Sequence, residues 1–388
     1  MYLTIRKNIQ FSGLQNTMSS TSAGHFGRRI RALREERGLS QEELARVFGF
    51  NDRQTVSAVE TGARRLTAEE LLLVMNGLNV PLDYFTDPFR LVGEGRFSWR
   101  QKDVDAPDLA AYEQQAGQWI AAFRSLAPEV GQETRFLRMT LGLTKRSSFE
   151  DAMHAGERFA AKFELGDVPA ARLAEVMERR LGILVLMVDA PHGVSGAACQ
   201  LPELEAALIS RNEVVGRRSF DLAHELFHLL TWDAMPPEHS EEINGIGRNR
   251  VEQLANNFAG AVLMPPRVLE PFGKWSHLSQ DDLVARLNSA ADRLQVSSSA
   301  LRWRLAALGE LSQRVAKSLP EERLRYNGRG ATEGDPPARF SRLFMEVIGG
   351  AIERGLVSVR RAARLLDLTV EDLADTFAAH QVPCSVEL

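Results

Sequence analysis

Residues 220–230 read FDLAHELFHLL, eleven positions of which seven are apolar. The spacing is helical and the apolar side chains cover nearly the whole circumference, which predicts a buried helix. Set into it are Asp221, His224, Glu225 and His228. Residues four apart lie on one face of a helix, so the two histidines project together. Imidazoles so placed take neighbouring corners of a zinc tetrahedron, and Glu225 beside the first reaches a water there as general base. Buried ionisable groups are costly unless paired or coordinated, and three in one apolar helix want a common partner. A metal is the simplest such partner. A chance His-Glu-x-x-His match falls more often on a polar helix or a loop.

A site of this kind needs a third protein ligand and keeps one position for water. The candidates downstream are Glu238, His239, Glu241, Glu242 and Glu252. The longer metzincin spacing, with a third histidine six residues on, is absent. Glu252 is preferred, because it opens RVEQLANNFAGAVLMP, a second apolar helix whose Ala255 and Ala259 allow close approach to the first. An acid favoured by the helix dipole is the plainer reading of it. His239 is the alternative ligand, or a group that polarises a substrate carbonyl, or an ordinary loop histidine. Asp221 and Asn256, each one turn from a ligand candidate, are placed to orient an imidazole; caps or solvated polar residues occupy such positions as well. Upstream, GILVLMVD, SGAACQL and LEAALISR are apolar runs separated by Pro191, Gly193 and Pro202, which predicts three strands. A sheet edge beside a metal helix holds an extended peptide by backbone pairing, and SGAACQL is either such an edge or an inner strand.

Nearer the N-terminus, residues 24–90 carry the periodicity of five short helices. Ser40 with Glu43, and Thr67 with Glu70, form capping-box pairs. The turn Gly49-Phe50-Asn51 joins the second helix to the third in the manner of a helix-turn-helix, whose second member enters the major groove by its first residues. Here those are Asp52, Arg53, Gln54, Thr55 and Ser57. Gln pairs with adenine, Arg with guanine, and Thr meets a thymine methyl. Arg28, Arg29, Arg31, Arg64 and Arg65 flank them as phosphate contacts. Acids balance bases across the segment, so a helical interaction domain with a solvated arginine face is the alternative.

The remaining sequence bounds these readings. The 388 residues favour two or three domains. A net charge of −4 excludes a general polyanion binder and leaves room for a local basic patch. Two cysteines, Cys199 and Cys384, make neither a disulfide framework nor a Cys-x-x-Cys metal pair, and the expected compartment is the cytoplasm. No apolar run is long enough to span a membrane. Residues 1–23 are polar and expected to be disordered, with Met18 a possible start. A helical connector is predicted over 91–180, with helices at 108–126, 128–139, 147–163 and 169–181. The strands and four more helices fill 181–320, NGRGATEGDPP over 327–337 is a linker, and 338–388 is a helical tail. In that tail VSVRRAARLLDLTVEDLADTF is either a second helix-turn-helix-like element or a packing hairpin. The fold class is therefore α+β and predominantly helical.

Two families are resembled. GRRIRALREERGLSQEELARVFGF, TVSAVETGARRL and LNVPLDYF resemble the XRE (Cro/repressor-like) helix-turn-helix family, with a turn, NDRQ, one residue longer than the commonest pattern. SFDLAHELFHLLTW followed by RVEQLANNFAGAVLMP resembles the ImmA/IrrE metallopeptidase family. That second resemblance implies a reduced zincin core, a zinc ion held by His224, His228 and Glu252, and Glu225 as catalytic glutamate. Members with both domains resemble stress-responsive regulators, phage-type repressor proteases and antitoxins. The expectation is a homodimer on operator DNA whose zinc endopeptidase domain cuts a protein partner, such as a neighbour-encoded repressor or toxin-related protein. The alternatives are a non-proteolytic repressor or antitoxin whose metal domain senses or binds a partner, and a repressor that cuts its own connector around 88–107.

Overall fold

The computed structural model describes residues 26–132, 139–242, 249–324 and 336–383. The chain divides between Gly95 and Arg96 into two compact units. Residues 1–23, most of the linker 327–337, Met18 and Cys384 lie outside the described residues.

In the first unit, helix α1 spans residues 26–36, followed by α2 (Gln41–Phe48), α3 (Arg53–Glu60), α4 (Ala68–Leu78) and α5 (Leu82–Thr86). Both capping boxes form: the Ser40 and Thr67 hydroxyls accept from the N–H groups of Glu43 and Glu70, whose carboxylates accept from the cap N–H groups in return. Gly49, at φ 69°, ends α2 in the left-handed conformation that glycine adopts without a Cβ clash. Ile30, Leu44, Phe48, Val56, Val74 and Leu78 meet in the core. Beside them the buried Glu60 carboxylate accepts from Arg34 Nε at 2.6 Å and Gln41 Nε2 at 2.9 Å.

The second unit is built on a five-stranded sheet of β1 (Arg96–Gln101), β2 (Ile183–Val188), β3 (Val194–Gln200), β4 (Glu205–Ser210) and β5 (Ser240–Glu242). Its order is β2-β4-β3-β1-β5. The β2/β4 and β1/β5 pairs are parallel, and β3 runs antiparallel to both of its neighbours. Thirteen helices among the described residues surround it. Those that place the site are α6 (Ala106–Leu126), α7 (Phe149–Lys162), α8 (Pro169–Val176), α9 (Val215–Thr231) and α10 (Arg250–Leu263). After α11 (Pro266–Leu269) come α12 (Gln280–Leu294), α13 (Ser298–Ala307), α14 (Gln313–Ser318) and α15 (Glu321–Leu324). The tail forms α16 (Arg342–Glu353), α17 (Val359–Leu365) and α18 (Val370–Ala379).

Helix α9 lies between the sheet, where it meets β3 and β4, and α10, which is backed in turn by α7. Phe258 of α10 contacts Phe227 of α9 and Phe159 of α7, with ring centroids 5.6 and 6.1 Å apart. Fully burying one such ring stabilises the fold by about 1.5–3 kcal/mol. The tail packs on α6, with Phe344 against Phe123 and Phe340 against Trp119.

One open alternative is resolved, two expectations change and one strand is new. SGAACQL is β3, flanked on both sides by strands, so the sheet edges are β2 and β5. The stretch 91–180, read as a helical connector, supplies β1 to the sheet and α7 to the packing of α10. The helix expected over 128–139 is a single tight turn, Pro128–Val130, where Gly131 at φ 80° stops it; residues 133–138 lie outside the described residues. Strand β5 was hidden because three residues carry too little periodicity to register.

Candidate functional site

Helix α9 presents His224 and His228 on one face, and α10 brings Glu252 across from them. His224 Nε2 lies 3.1 Å from Glu252 Oε2, His228 Nε2 lies 3.2 Å from Glu252 Oε1, and the two Nε2 atoms are 3.0 Å apart. Ligands at 2.0–2.1 Å from a tetrahedral zinc are separated by about 3.3 Å along each edge; the His224–His228 spacing is close to that, and Glu252 meets the two imidazoles with different oxygens, so the three side chains converge on one place that could hold a metal ion. His224 Nδ1 lies 3.0 Å from Asn256 Oδ1. That bond fixes the proton on Nδ1 and turns the Nε2 lone pair inward. Burial first, then the Arg100 guanidinium, push His224 down to about 4, so it is a neutral imidazole at pH 7, as a ligand must be. Burial raises the Glu252 carboxyl, but the two histidines outweigh it and hold the group below the ordinary carboxylate range. Two imidazoles and a carboxylate gathered in this way are a zinc-type donor set, and the residues present fit zinc.

Glu225, next to His224 in α9, has its stem against β3 of the sheet, with Arg100, Asp221 and Glu252 as charged neighbours. A Cβ on Gly196 of β3 would meet Glu225 Cγ at 3.7 Å, an ordinary contact, but would come within 3.0 Å of the Leu208 carbonyl oxygen and 3.2 Å of Ile209 Cδ1, so glycine here accommodates β4. The Glu225 carboxyl is buried and its Oε1 has no hydrogen-bond partner among the described residues. Burial pushes it well above its ordinary value, Asp221 and Glu252 adding to the shift while Arg100 opposes it.

Arg100, on β1, went unnoticed in the sequence. It pairs with Gly196 in the sheet register. Its Nη1 lies 3.0 Å from His224 Nε2 and 3.9 Å from Glu252 Oε2. Asp221 Oδ1 sits 3.2 Å from its Nε, so Asp221 anchors this arginine rather than a histidine. No local motif marks Arg100, since 124 residues separate it from His224. His239 is exposed and joined to Glu113 Oε2 at 2.7 Å, away from the three-ligand cluster. Glu238 is exposed too, and Glu241 and Glu242 lie in β5.

In the first unit Asp52 caps α3 through the Thr55 N–H at 2.8 Å, and that bond holds its carboxyl below the ordinary value. Arg53 and Gln54 are exposed at the helix start, and Thr55 and Ser57 are half-buried behind them. Arg65 is exposed and Arg28 half-buried. Arg64 forks onto Glu70 at 2.6 and 3.1 Å and lies over the Phe50 ring. Arg29 is buried and donates to the carbonyls of Tyr84, Asp87 and Arg90, so its work is to hold the end of the unit rather than a phosphate. Arg31 pairs with Glu35.

Residues 30–85 match the helix-turn-helix family, and residues 178–306 match the IrrE N-terminal-like domain of peptidase family M78. The chain fuses a helix-turn-helix domain to an IrrE-like domain. Arg100 precedes the matched part of the IrrE-like domain. Among curated proteins the chain is 25% identical to the HTH-type transcriptional regulator PrpR of Mycobacterium tuberculosis, over 74% of this chain and 64% of that one. The match thus spans just under two thirds of that relative. It is also 39% identical, over 16% of its own length and 56% of the other, to an uncharacterized transcriptional regulator in the ATPase CF(0) region of Rhodospirillum rubrum. A crystal structure of Bacillus thuringiensis PlcR with the peptide PapR7 and DNA aligns over 92% of this chain and 94% of that one at 10% identity. Its TM-score of 0.16 is too low to bear on fold or function. No helix among the described residues is long and apolar enough to cross a membrane.

Proposed function

We propose that the protein is a transcriptional regulator that reads operator DNA through α3 as a homodimer and carries a zinc endopeptidase acting on a regulatory protein partner. The observation that carries the peptidase reading is the convergence of His224, His228 and Glu252 into one metal-type cluster, with the buried Glu225 carboxyl beside His224 on α9. Zinc held by those three side chains would supply a Lewis acid that activates water near neutral pH. Glu225 is the base: its Oε1 takes the proton from the attacking water and passes it to the leaving amine. Its burial suits the first half of that exchange, because a carboxylate whose pKa is raised takes a proton more readily than an ordinary one. Asn256 holds the His224 tautomer. Arg100, anchored by Asp221, brings positive charge to the edge of the cluster, where a peptide carbonyl gains negative charge. On DNA, Arg53 and Gln54 are the base readers, with Arg28, Arg65 and the α3 hydroxyls of Thr55 and Ser57 as supporting contacts.

One observation favours a second reading. His224, His228 and Glu225 are each at most 1% exposed, an enclosure that also suits a metal-dependent sensor that binds a partner without cutting it. Expression of the wild type and of Glu225→Gln beside each neighbour-encoded protein separates the two. The peptidase reading expects a fragment with the wild type alone. Identical fragments with both proteins, or none with either, would remove it.

A further inference from the structure

A cleft of about 720 Å³ opens beside the metal ligands in the second unit. Arg100, Asp221 and Asn256 belong to its lining and also surround His224, so the inner end of the cleft meets the candidate reaction centre. Its volume is that of a site for a drug-sized ligand or a short peptide segment.

The lining is cationic. Arg100, Lys102, Arg217 and Arg304 contribute to it, against one carboxylate, Asp221. Asp221 is shared, with Oδ1 3.2 Å from Arg100 Nε and Oδ2 3.8 Å from Arg217 Nε. Glu213 lies 3.5 Å from Arg217, and Glu157 answers one arm of Arg304, both from outside the lining. Two donors are left over. Lys102 is exposed and has no ion pair among the described residues. Arg304 is 4% exposed, and its Nη1 is buried with no hydrogen-bond partner among the described residues. An orphaned guanidinium nitrogen in such a place costs about 1–3 kcal/mol or more until an acceptor reaches it. Phe220, Ala300 and the half-exposed Trp303 indole supply an apolar wall.

A neutral segment in this cleft leaves both donors unanswered, and a basic one is repelled. An acidic side chain answers the excess of positive charge: its carboxylate accepts from the exposed Lys102 ammonium while its methylenes lie on the apolar wall. We infer that the cleft is the subsite for an acidic segment of the protein substrate, with an Asp or Glu beside the bond that is cut. This deepens the peptidase reading and rests on it.

The test uses the full-length zinc-loaded Glu225→Gln protein, so that peptides bind without being cut. The probes are two fluorescein-labelled degenerate dodecapeptide pools, one with Asp or Glu fixed at the centre and one with Asn or Gln there. Fluorescence polarisation should show the acidic pool binding at least about tenfold more tightly, with the advantage shrinking in high salt. Lys102→Gln, at an exposed position that leaves the fold intact, should reduce the advantage severalfold. Adding Arg217→Gln should abolish it while zinc content stays unchanged. Equal binding of the two pools, or an acidic preference untouched by either substitution, overturns the subsite. Wild-type protein that cuts neither pool, while Glu225→Gln keeps the preference, refutes the peptidase reading and supports the acidic site. Cutting of both pools alike does the reverse.

Discussion

Gly156→Ala should loosen the packing that places Glu252. Gly156 lies in α7 against α10, the helix that carries Glu252. A Cβ there would sit 2.6 Å from the Phe258 carbonyl oxygen, 2.9 Å from Ala261 Cβ and 3.0 Å from Val262 N. These are backbone and near-backbone atoms of a buried helix, so no side chain can swing away, and the helices must part by several tenths of an ångström. Overpacking of this kind costs about 1–3 kcal/mol, while alanine in place of glycine returns up to about 1 kcal/mol of helix propensity. Gly260→Ala on α10 isolates the first effect. Its Cβ would meet nothing nearer than Arg304 Cδ and Met264 Cε at 4.0 Å, ordinary contact distance, and it gains the same propensity. The difference between the two variants is therefore the steric cost alone. At about 2.1 cal/mol/K of unfolding entropy per residue, a unit of this size shifts by roughly 1.6 °C per kcal/mol. Calorimetry should place the Gly156→Ala midpoint about 2–5 °C below that of Gly260→Ala, and chelator competition should find zinc held less tightly in Gly156→Ala. Coincident midpoints would refute the account of how α10 is positioned.

Two further outcomes follow from buried charge. Glu178, in the wide turn Met177–Leu181 before β2, is pushed up from 4.5 to about 7 by burial, against the lowering bonds from Ser341 and Val185. A carboxyl raised on folding binds its proton more tightly in the native state, so the stability it allows is full below pH 4.5 and falls as pH rises to about 7. Glu178→Gln should thus raise the melting midpoint at pH 8, by an amount equivalent to no more than about 3 kcal/mol, and change little at pH 4.5. An equal shift at both pH values would contradict it. In the first unit, Arg34→Ala strands the Glu60 carboxylate, whose side chain is 2% exposed, at a cost of about 3–5 kcal/mol. That loss should appear as an early-melting transition and weaker operator binding in gel shifts; an unchanged transition would argue against the buried pair.

Features governed by neighbours along the chain were legible in the sequence. The capping boxes at Ser40 and Thr67 need only the residue three places on, and both form as their spacing implies. The two histidines share a face because four residues separate them. Glu252 was reachable because it opens a helix whose apolar stripe must lie against that of α9. What stayed hidden depends on pairing between distant segments. RFSWRQ reads as the end of a glycine-containing connector, and becomes a strand because Phe97, Trp99 and their neighbours find β3 about a hundred residues later. Arg100 reaches His224 by that pairing alone. For the same reason Asp221, which seemed a partner for an imidazole, is instead taken by Arg100 and Arg217. Arg29 shows the converse: in sequence it is one of several arginines suited to phosphate, and only the fold turns it inward.

His224, His228 and Glu252 are proposed to hold a metal ion together. The most direct test is the metal content of the purified full-length protein, measured by plasma mass spectrometry after exhaustive dialysis against buffer with trace zinc. The wild type should carry about one zinc per chain, and His224→Ala and Glu252→Ala should each lose it while keeping the circular dichroism of the folded protein. Wild-type protein that holds no stoichiometric zinc, or folded variants that hold as much as the wild type, would contradict the metal centre described above.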